Sequence, residues 1–386
     1  MPALYIHIPF CSSVCAYCDF CAMPVPERVQ SEYIELLLME LQLRFLELPV
    51  AVRENDSGNT TLYIGGGSPS HLSVANLQKL FLGLKNVLKN FDIKLGHLKE
   101  STVEWNPEQV SDEKISLVAD FGINRFSLGI QSLDDNILKM IGRKHTAKNA
   151  LCAFEKLNEK FSTGSADLMF CLPNQNTENF LTDIKTLTDM DIKHLSFYGL
   201  TISKNSFLKQ QIDKGKIPAP NEDLYAEMYL RGVEQVCNGN LRRYEVSNFA
   251  LPNHESLHNC SYWKQEDYLG IGLSAHSSIN GIRSHSPLGF SGWKNWVKNG
   301  CKNSELCFDL PNTNGKKLEM IYLSLRTRDG LSLLQYEQKF SEKFDLGRVA
   351  PFLKKGYITL NSSKNGDFLA LQGEGWLWLD KIAIEI

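Results

Sequence analysis

Over its first 200 residues the chain switches repeatedly between two hydrophobic periods. Short runs rich in β-branched and aromatic residues, Leu4–Ile8, Thr61–Ile64, Thr102–Trp105, Arg125–Ile130, Ala166–Cys171 and His194–Leu200, read as strands. Between them apolar positions recur at helical spacing, as in SEYIELLLMELQLRFLEL and VANLQKLFLGLKNVLKNF. Strands alternating with helices imply βαβ units and a parallel sheet. Six units amount to roughly three-quarters of the closed eight-unit form. The expected fold class is therefore α/β, an open, partial (β/α)6-type barrel. Chemistry in such barrels gathers at the C-terminal ends of the strands. Polar and glycine-rich residues fall at those ends: Gly65-Gly66-Gly67-Ser68 after the second run, Glu104 and Asn106 at the third, Gln131 at the fourth.

The texture changes near residue 305. NSELCFDLPNTNGKK reads as a linker, and helices are expected near Lys317–Leu325, Leu333–Phe340 and Leu346–Lys355. The β-like TLNSSKNGDFLAL follows, with Asn365-Gly366 as a hairpin signal. Helices followed by a hairpin resemble a winged helix. The tail has no clear basic stripe, so a structural or partner-binding role is expected rather than DNA binding.

Composition narrows the classes further. The chain has 386 residues, 43% of them hydrophobic, enough for one large domain and a smaller one. Its 41 basic and 44 acidic residues leave a formal net charge of −3, so no strong positive field exists to neutralise a phosphate backbone. Nucleic acid is not an expected partner. The opening MPALYIHIPF lacks the basic start of a secretory signal, and no apolar run approaches the roughly 20 residues of a membrane helix. A soluble cytoplasmic protein is the expectation.

Four of the ten cysteines lie within residues 11–21. The other six are scattered and read as small hydrophobes in a reducing compartment, not as a disulfide framework. Cys11-Ser-Ser-Val-Cys15-Ala-Tyr-Cys18 offers three thiolates on one loop after the first strand. Soft thiolates suit iron–sulfur clusters or zinc. A structural zinc site commonly takes four ligands in two separated pairs. On a [4Fe–4S] cluster, three ligands leave one iron open to an exogenous chelator. The amino and carboxylate groups of S-adenosylmethionine (SAM) suit that position, and one electron into its sulfonium would release an adenosyl radical. Zinc stays open on spacing alone, and Cys21 reads as a fourth ligand or a bystander. The loop would depend on its bound ligand for a fixed conformation.

The residues then carry a resemblance. Tyr5-Ile-His7-Ile-Pro-Phe-Cys11, with Cys15, Tyr17 and Cys18, resembles the radical SAM proteins related to oxygen-independent coproporphyrinogen III oxidase. The match continues through Gly65–Ser70, Glu104-Trp-Asn106-Pro107, Asn124–Ser132, Gly142-Arg143-Lys-His145, Asp167–Pro173, Tyr244–Ala250 and Asp267–Gly272, in order. The oxidase itself usually has a further cysteine two places after the third cluster ligand, where this chain has Phe20. A haem-chaperone branch lacks that cysteine and carries His-Asn-x-x-Tyr, matched here by His258-Asn259-Cys260-Ser261-Tyr262. The resemblance implies a radical SAM core at 1–240, an extension at 241–304 and a winged-helix-like domain at 305–386. It implies a protein that binds a cluster, SAM and haem and passes haem to acceptor proteins. The enzymatic alternative is an oxygen-independent coproporphyrinogen III dehydrogenase. Peripheral contact with membrane-bound acceptors and a homodimer both stay open.

Roles follow from the resemblance position by position. Cys11, Cys15 and Cys18 correspond to cluster ligands, and Tyr5 and Tyr17 to residues lining SAM. Gly66, Gly67 and Ser68 correspond to the segment that meets its amino end. Glu104, Gln131, Arg143 and Asp167 correspond to further SAM contacts, and arginine can pair with a carboxylate. His258 is the expected haem ligand, with His7 and His276 behind it. Three departures stand out. Asn174 replaces a family glycine in a turn where asparagine tolerates left-handed backbone. Cys171 replaces another glycine. Ser256 stands where many relatives have a cysteine, which puts haem binding in question if that cysteine helps to hold haem. His254-Glu255-Ser-Leu-His258 spells a zinc-protease pattern, but its turn-like flanks do not offer the helix that chemistry needs. Gly270-Ile-Gly272 imitates a dinucleotide fingerprint, yet HSSINGIRSHSPLG is a poor helix.

Overall fold

All six strand-like runs form strands in the computed structural model, which describes residues 1–13, 15–18, 23–53, 60–204, 206–364 and 366–386. They are β1 (Ala3–Ile8), β2 (Thr61–Gly66), β3 (Glu100–Trp105), β4 (Arg125–Gln131), β5 (Thr163–Phe170) and β6 (His194–Gly199). They pair in chain order and in parallel. Helices cross between them, among them Glu27–Glu47, Val74–Lys89, Ala147–Lys160 and Thr177–Thr188. Leu4, Ile6 and Ile8 of β1 bury against this helical layer, as the period of two requires.

The sheet continues past both ends of the six. Beyond β6 lie β8 (Asn248–Ala250) and β7 (Arg242–Glu245), both antiparallel to their neighbours. Beyond β1 lies β9 (Tyr268–Ile271), parallel to it, then β10 (His276–Ile279), β11 (Ile282–His285) and β12 (Cys307–Asp309). The order is linear over twelve strands and the two edges do not pair among the described residues, so the barrel stays open. The expected linker at 305 is thus partly a strand: Cys307–Asp309 pairs with Arg283–His285. Gly270-Ile-Gly272 ends a strand that leads into the β10–β11 hairpin, with no dinucleotide-type helix after it.

The inner face of the partial barrel is polar, and register places it in layers. Tyr5, Tyr63, Thr102 and Arg125 align across β1–β4, and Glu104, Ser127, Ser165 and His194 align one layer higher across β3–β6. The helix Leu257–Trp263 lies against the inner face from below. The Glu100 carboxylate accepts from its Leu257 (2.9 Å) and His258 (3.0 Å) amides.

The tail has the element order of a winged helix: helix Thr313–Leu325, β13 (Leu331–Ser332), helices Leu333–Phe340 and Leu346–Lys354, then the antiparallel β14 (Ile358–Ser363) and β15 (Gly366–Leu371). Asn365, half of the hairpin signal, lies outside the described residues, as do Phe20 and Cys21. No helix among the described residues is long and apolar enough to cross a membrane.

Candidate functional site

At the C-terminal ends of the strands a cavity of about 410 Å³ collects most of the expected residues. The loop after β1 brings Cys11, Cys15, Tyr17 and Cys18 to one wall. The β2 end brings Gly66, Gly67 and Ser68, and β3, β4 and β5 bring Glu104, Gln131 and Asp167; Arg143 completes the set. None of the three cysteines forms a disulfide among the described residues. No three or more His, Cys, Asp or Glu side chains among the described residues converge to hold a single metal ion.

The glycines are fixed by space. Gly66 has φ +119°, and a Cβ there would stand 2.7 Å from the His7 ring. A Cβ on Gly67 would stand 2.8 Å from the Phe10 carbonyl oxygen, in the backbone that leads into Cys11. Gly67 also donates to the Ile8 carbonyl at 2.9 Å. Gly67→Ala should therefore displace the cysteine loop and cost about 1–3 kcal/mol by overpacking. The expected outcome is a severalfold lower iron content after anaerobic reconstitution, read against the thermal melt of the same sample.

Glu104, half-buried, lines the heart of the cavity. It accepts from Tyr63 Oη (2.8 Å) and from the Gly66 amide (3.0 Å). Burial pushes its carboxyl up to about 7, against the pull of those two donors, and the Asp167 charge adds to the rise. Asp167 accepts from Ser127 (2.5 Å) and Ser165 (2.6 Å), which aim its carboxylate. Arg143 donates to Asn106 Oδ1 (2.8 Å) and the Gly129 carbonyl (2.6 Å), and its guanidinium reaches Cys15 Sγ at 3.9 Å. Burial raises the Cys11 thiol, and the neighbouring Cys15 raises it further. Gln131 takes φ +71° at a register shift in β4, which turns its side chain to meet Tyr198 Oη at 3.3 Å.

Two expected residues sit elsewhere. Tyr5 lies on β1 three residues before the strand's end and lines a neighbouring cavity, with its hydroxyl 2.9 Å from His7 Nδ1. Strand rise carries it roughly 10 Å below the level of the loop. His258 is fully buried in the inner face and neither ring nitrogen is available. Nδ1 meets Thr61 Oγ1 at 2.8 Å and Nε2 meets Tyr262 Oη at 2.7 Å. Ligating iron would require the Tyr262 hydroxyl to leave. Burial and Arg125 lower the imidazole to about 3, so it is neutral.

The departures have clear places. Asn174 has φ +62°, so the turn survives, and Cys171 carries φ +58° where a glycine would be unstrained. Ser256 is the buried N-cap of Leu257–Trp263 and lines neither cavity. His254 precedes that helix and bonds Thr163 at 3.0 Å, so the protease pattern never shares a helical face. Asn106 lines the cavity from the strand end where the sequence put it, whereas sequence reasoning missed Asn248 and Asn259, although both lie in matched motifs. It also missed Tyr63, Ser127 and Tyr198, which alternation on their strands would have turned inward.

Three thiols on one wall face a cation, two close backbone segments and two carboxylates. That donor set fits a thiolate-held cluster with an amino-acid chelator beside it. Comparison with known proteins agrees. The family model of the radical SAM superfamily matches residues 5–187. "Heme chaperone HemW" of Lactococcus lactis is 34% identical over 88% of this chain and 86% of its own length. The Bacillus subtilis protein of the same name is 32% identical over 97% and 96%. The solved structure of coproporphyrinogen III oxidase (HemN) from Escherichia coli superposes with a TM-score of 0.81 at 20% identity, over 99% of this chain and 89% of that one.

Proposed function

Because this chain belongs to the radical SAM superfamily and, within it, to the HemW family, we propose that it is a haem chaperone that binds a [4Fe–4S] cluster and SAM and passes haem to acceptor proteins. The observation that carries the cofactor reading is the meeting of Cys11, Cys15, Cys18, Gly66, Gly67, Glu104, Arg143 and Asp167 on one cavity. Cys11, Cys15 and Cys18 hold the cluster. Arg143, positioned by Asn106 and the Gly129 carbonyl, offers a charge to a carboxylate. Glu104 and Asp167 accept from an ammonium or ribose hydroxyls, and glycine backbone closes over the amino end. When bound, cluster and SAM supply one-electron chemistry; this chain's residues bind, orient and exclude water.

One anaerobic experiment separates this reading from the oxidase alternative. Reconstituted protein is expected to bind haem and to leave coproporphyrinogen III unchanged with SAM and a reductant. Decarboxylation well above a cluster-free control would replace the chaperone by an enzyme. Each of Cys11→Ala, Cys15→Ala and Cys18→Ala should lose the visible iron–sulfur absorption and most of the iron. Full iron retention in any one would remove that thiol from the ligand set.

A further inference from the structure

The second cavity is larger, about 870 Å³, and shares no lining residue with the cysteine cavity. It opens between β9–β11 and the tail helices Thr313–Leu325 and Leu333–Phe340. Its volume is in the range of sites that enclose cofactor-sized ligands. The ring of Tyr5, which lines it, stacks on Tyr63 of the cysteine cavity, with centroids 6.2 Å apart. The helix Leu257–Trp263 serves both sites, giving Asn259 to one and Tyr262 to the other.

The lining is specific in three respects. Tyr262 and Tyr268 pack edge to face at 4.6 Å, and with Leu323 and Pro311 they make apolar and aromatic surface for a flat ligand. Lys316 and Lys339 both face the cavity and neither forms a salt bridge among the described residues. Lys339 donates only to the neutral Gln265, at 2.7 Å. Burial lowers the Lys339 ammonium against the pull of Glu319, and the neighbouring Lys316 charge adds to the fall. Arg283, by contrast, is already held by Asp309 and Glu319. Finally, His276 presents an exposed imidazole with no hydrogen bond among the described residues, its ring 5.0 Å from His285. Burial, His285 and Arg283 lower it, which keeps it neutral and able to ligate.

A flat, largely apolar ligand with two anionic arms and a ligatable metal satisfies all three. We propose that haem binds in this cavity, with its iron on His276 and its propionates on Lys316 and Lys339, an assignment that rests on the haem-chaperone reading above. His258 then acts at one remove. Held by Thr61, it fixes the Tyr262 hydroxyl and so the ring that forms part of the cavity wall.

The test is haem titration of the full, cluster-loaded chain, followed by absorbance, beside metal-free protoporphyrin. His276→Ala should weaken haem at least tenfold and change its Soret band, while leaving protoporphyrin affinity unchanged. Lys316→Glu with Lys339→Glu should weaken both ligands. His258→Ala should keep the haem spectrum of the unaltered chain. An unchanged affinity and spectrum in His276→Ala would overturn the assignment while the chaperone reading stood. So would loss of the ligated spectrum in His258→Ala alone. Failure of the unaltered chain to bind haem would overturn both. All three surface positions are outside the core, and thermal melts verify that the variants are folded.

Discussion

Replacing Glu104 with glutamine should weaken SAM binding by roughly two orders of magnitude and yet make the SAM-free chain more stable at alkaline pH. The two effects have one cause. Burial of the Glu104 carboxyl raises it from an ordinary 4.5 to about 7. A carboxyl whose folded pKa is raised favours folding only while protonated. Its relative contribution is complete below about 4.5 and is lost as pH climbs through 7. Above pH 7 the charged form costs about 3 kcal/mol. Glutamine removes that cost and keeps the partners: its oxygen accepts from the Gly66 amide, and its amide donates to the Tyr63 hydroxyl. Melting curves should show the variant more stable near pH 8, with the gap shrinking toward pH 5. SAM affinity of the unaltered chain should itself fall as pH drops below about 7, because a cationic ligand needs the ionised carboxylate. A variant that binds SAM normally, or a pH-independent affinity, would take Glu104 out of the binding set.

That carboxylate also shows what was legible in the sequence. Its place at the end of a strand followed from alternation of period two and from the βαβ pattern, both local properties. The six strands, the open barrel and the winged-helix order of the tail were readable for the same reason. The place of the cysteine loop on the cavity wall was readable because its residues are close in sequence and directly follow the first strand. Tyr5 and His258 lie outside the cysteine cavity for a physical reason shared by both. Motif membership gives neighbourhood along the chain, but depth in the barrel is set by strand rise and by which face a register exposes. Three residues along β1 moved Tyr5 out of the cysteine cavity. His258 was drawn into the inner face by a carboxylate 158 residues away, Glu100, which accepts from its amide. The strand at Cys307–Asp309 was hidden because its three residues are exposed and form an edge. It gains its order from pairing with β11 rather than from a hydrophobic pattern.

The second large effect belongs to the seam between the tail and the barrel. Arg326→Ala should destabilise the chain by about 3–5 kcal/mol, although Arg326 lines neither cavity. Glu245 at the end of β7 is fully buried and gathers four donors. Arg326 gives it two bonds (2.8 and 2.6 Å), the Ser247 amide one (2.9 Å) and Asn248 Nδ2 one (2.6 Å). The backbone reinforces the pair: Val246 donates to the Arg326 carbonyl and Arg328 to the Tyr244 carbonyl, each at 3.0 Å, and Glu245 bridges Thr327. Removing the arginine leaves a buried carboxylate without its counter-charge, which costs more than the pair itself contributes. Glu245→Gln with Arg326→Met should cost less than Arg326→Ala alone, since no charge is then stranded. Denaturant unfolding of the three chains checks the order. If Arg326→Ala were the mildest, the seam would rest on apolar packing instead. Because the tail forms one wall of the 870 Å³ cavity, haem affinity should fall in parallel with loss of this seam, and the cysteine cavity should still take its iron.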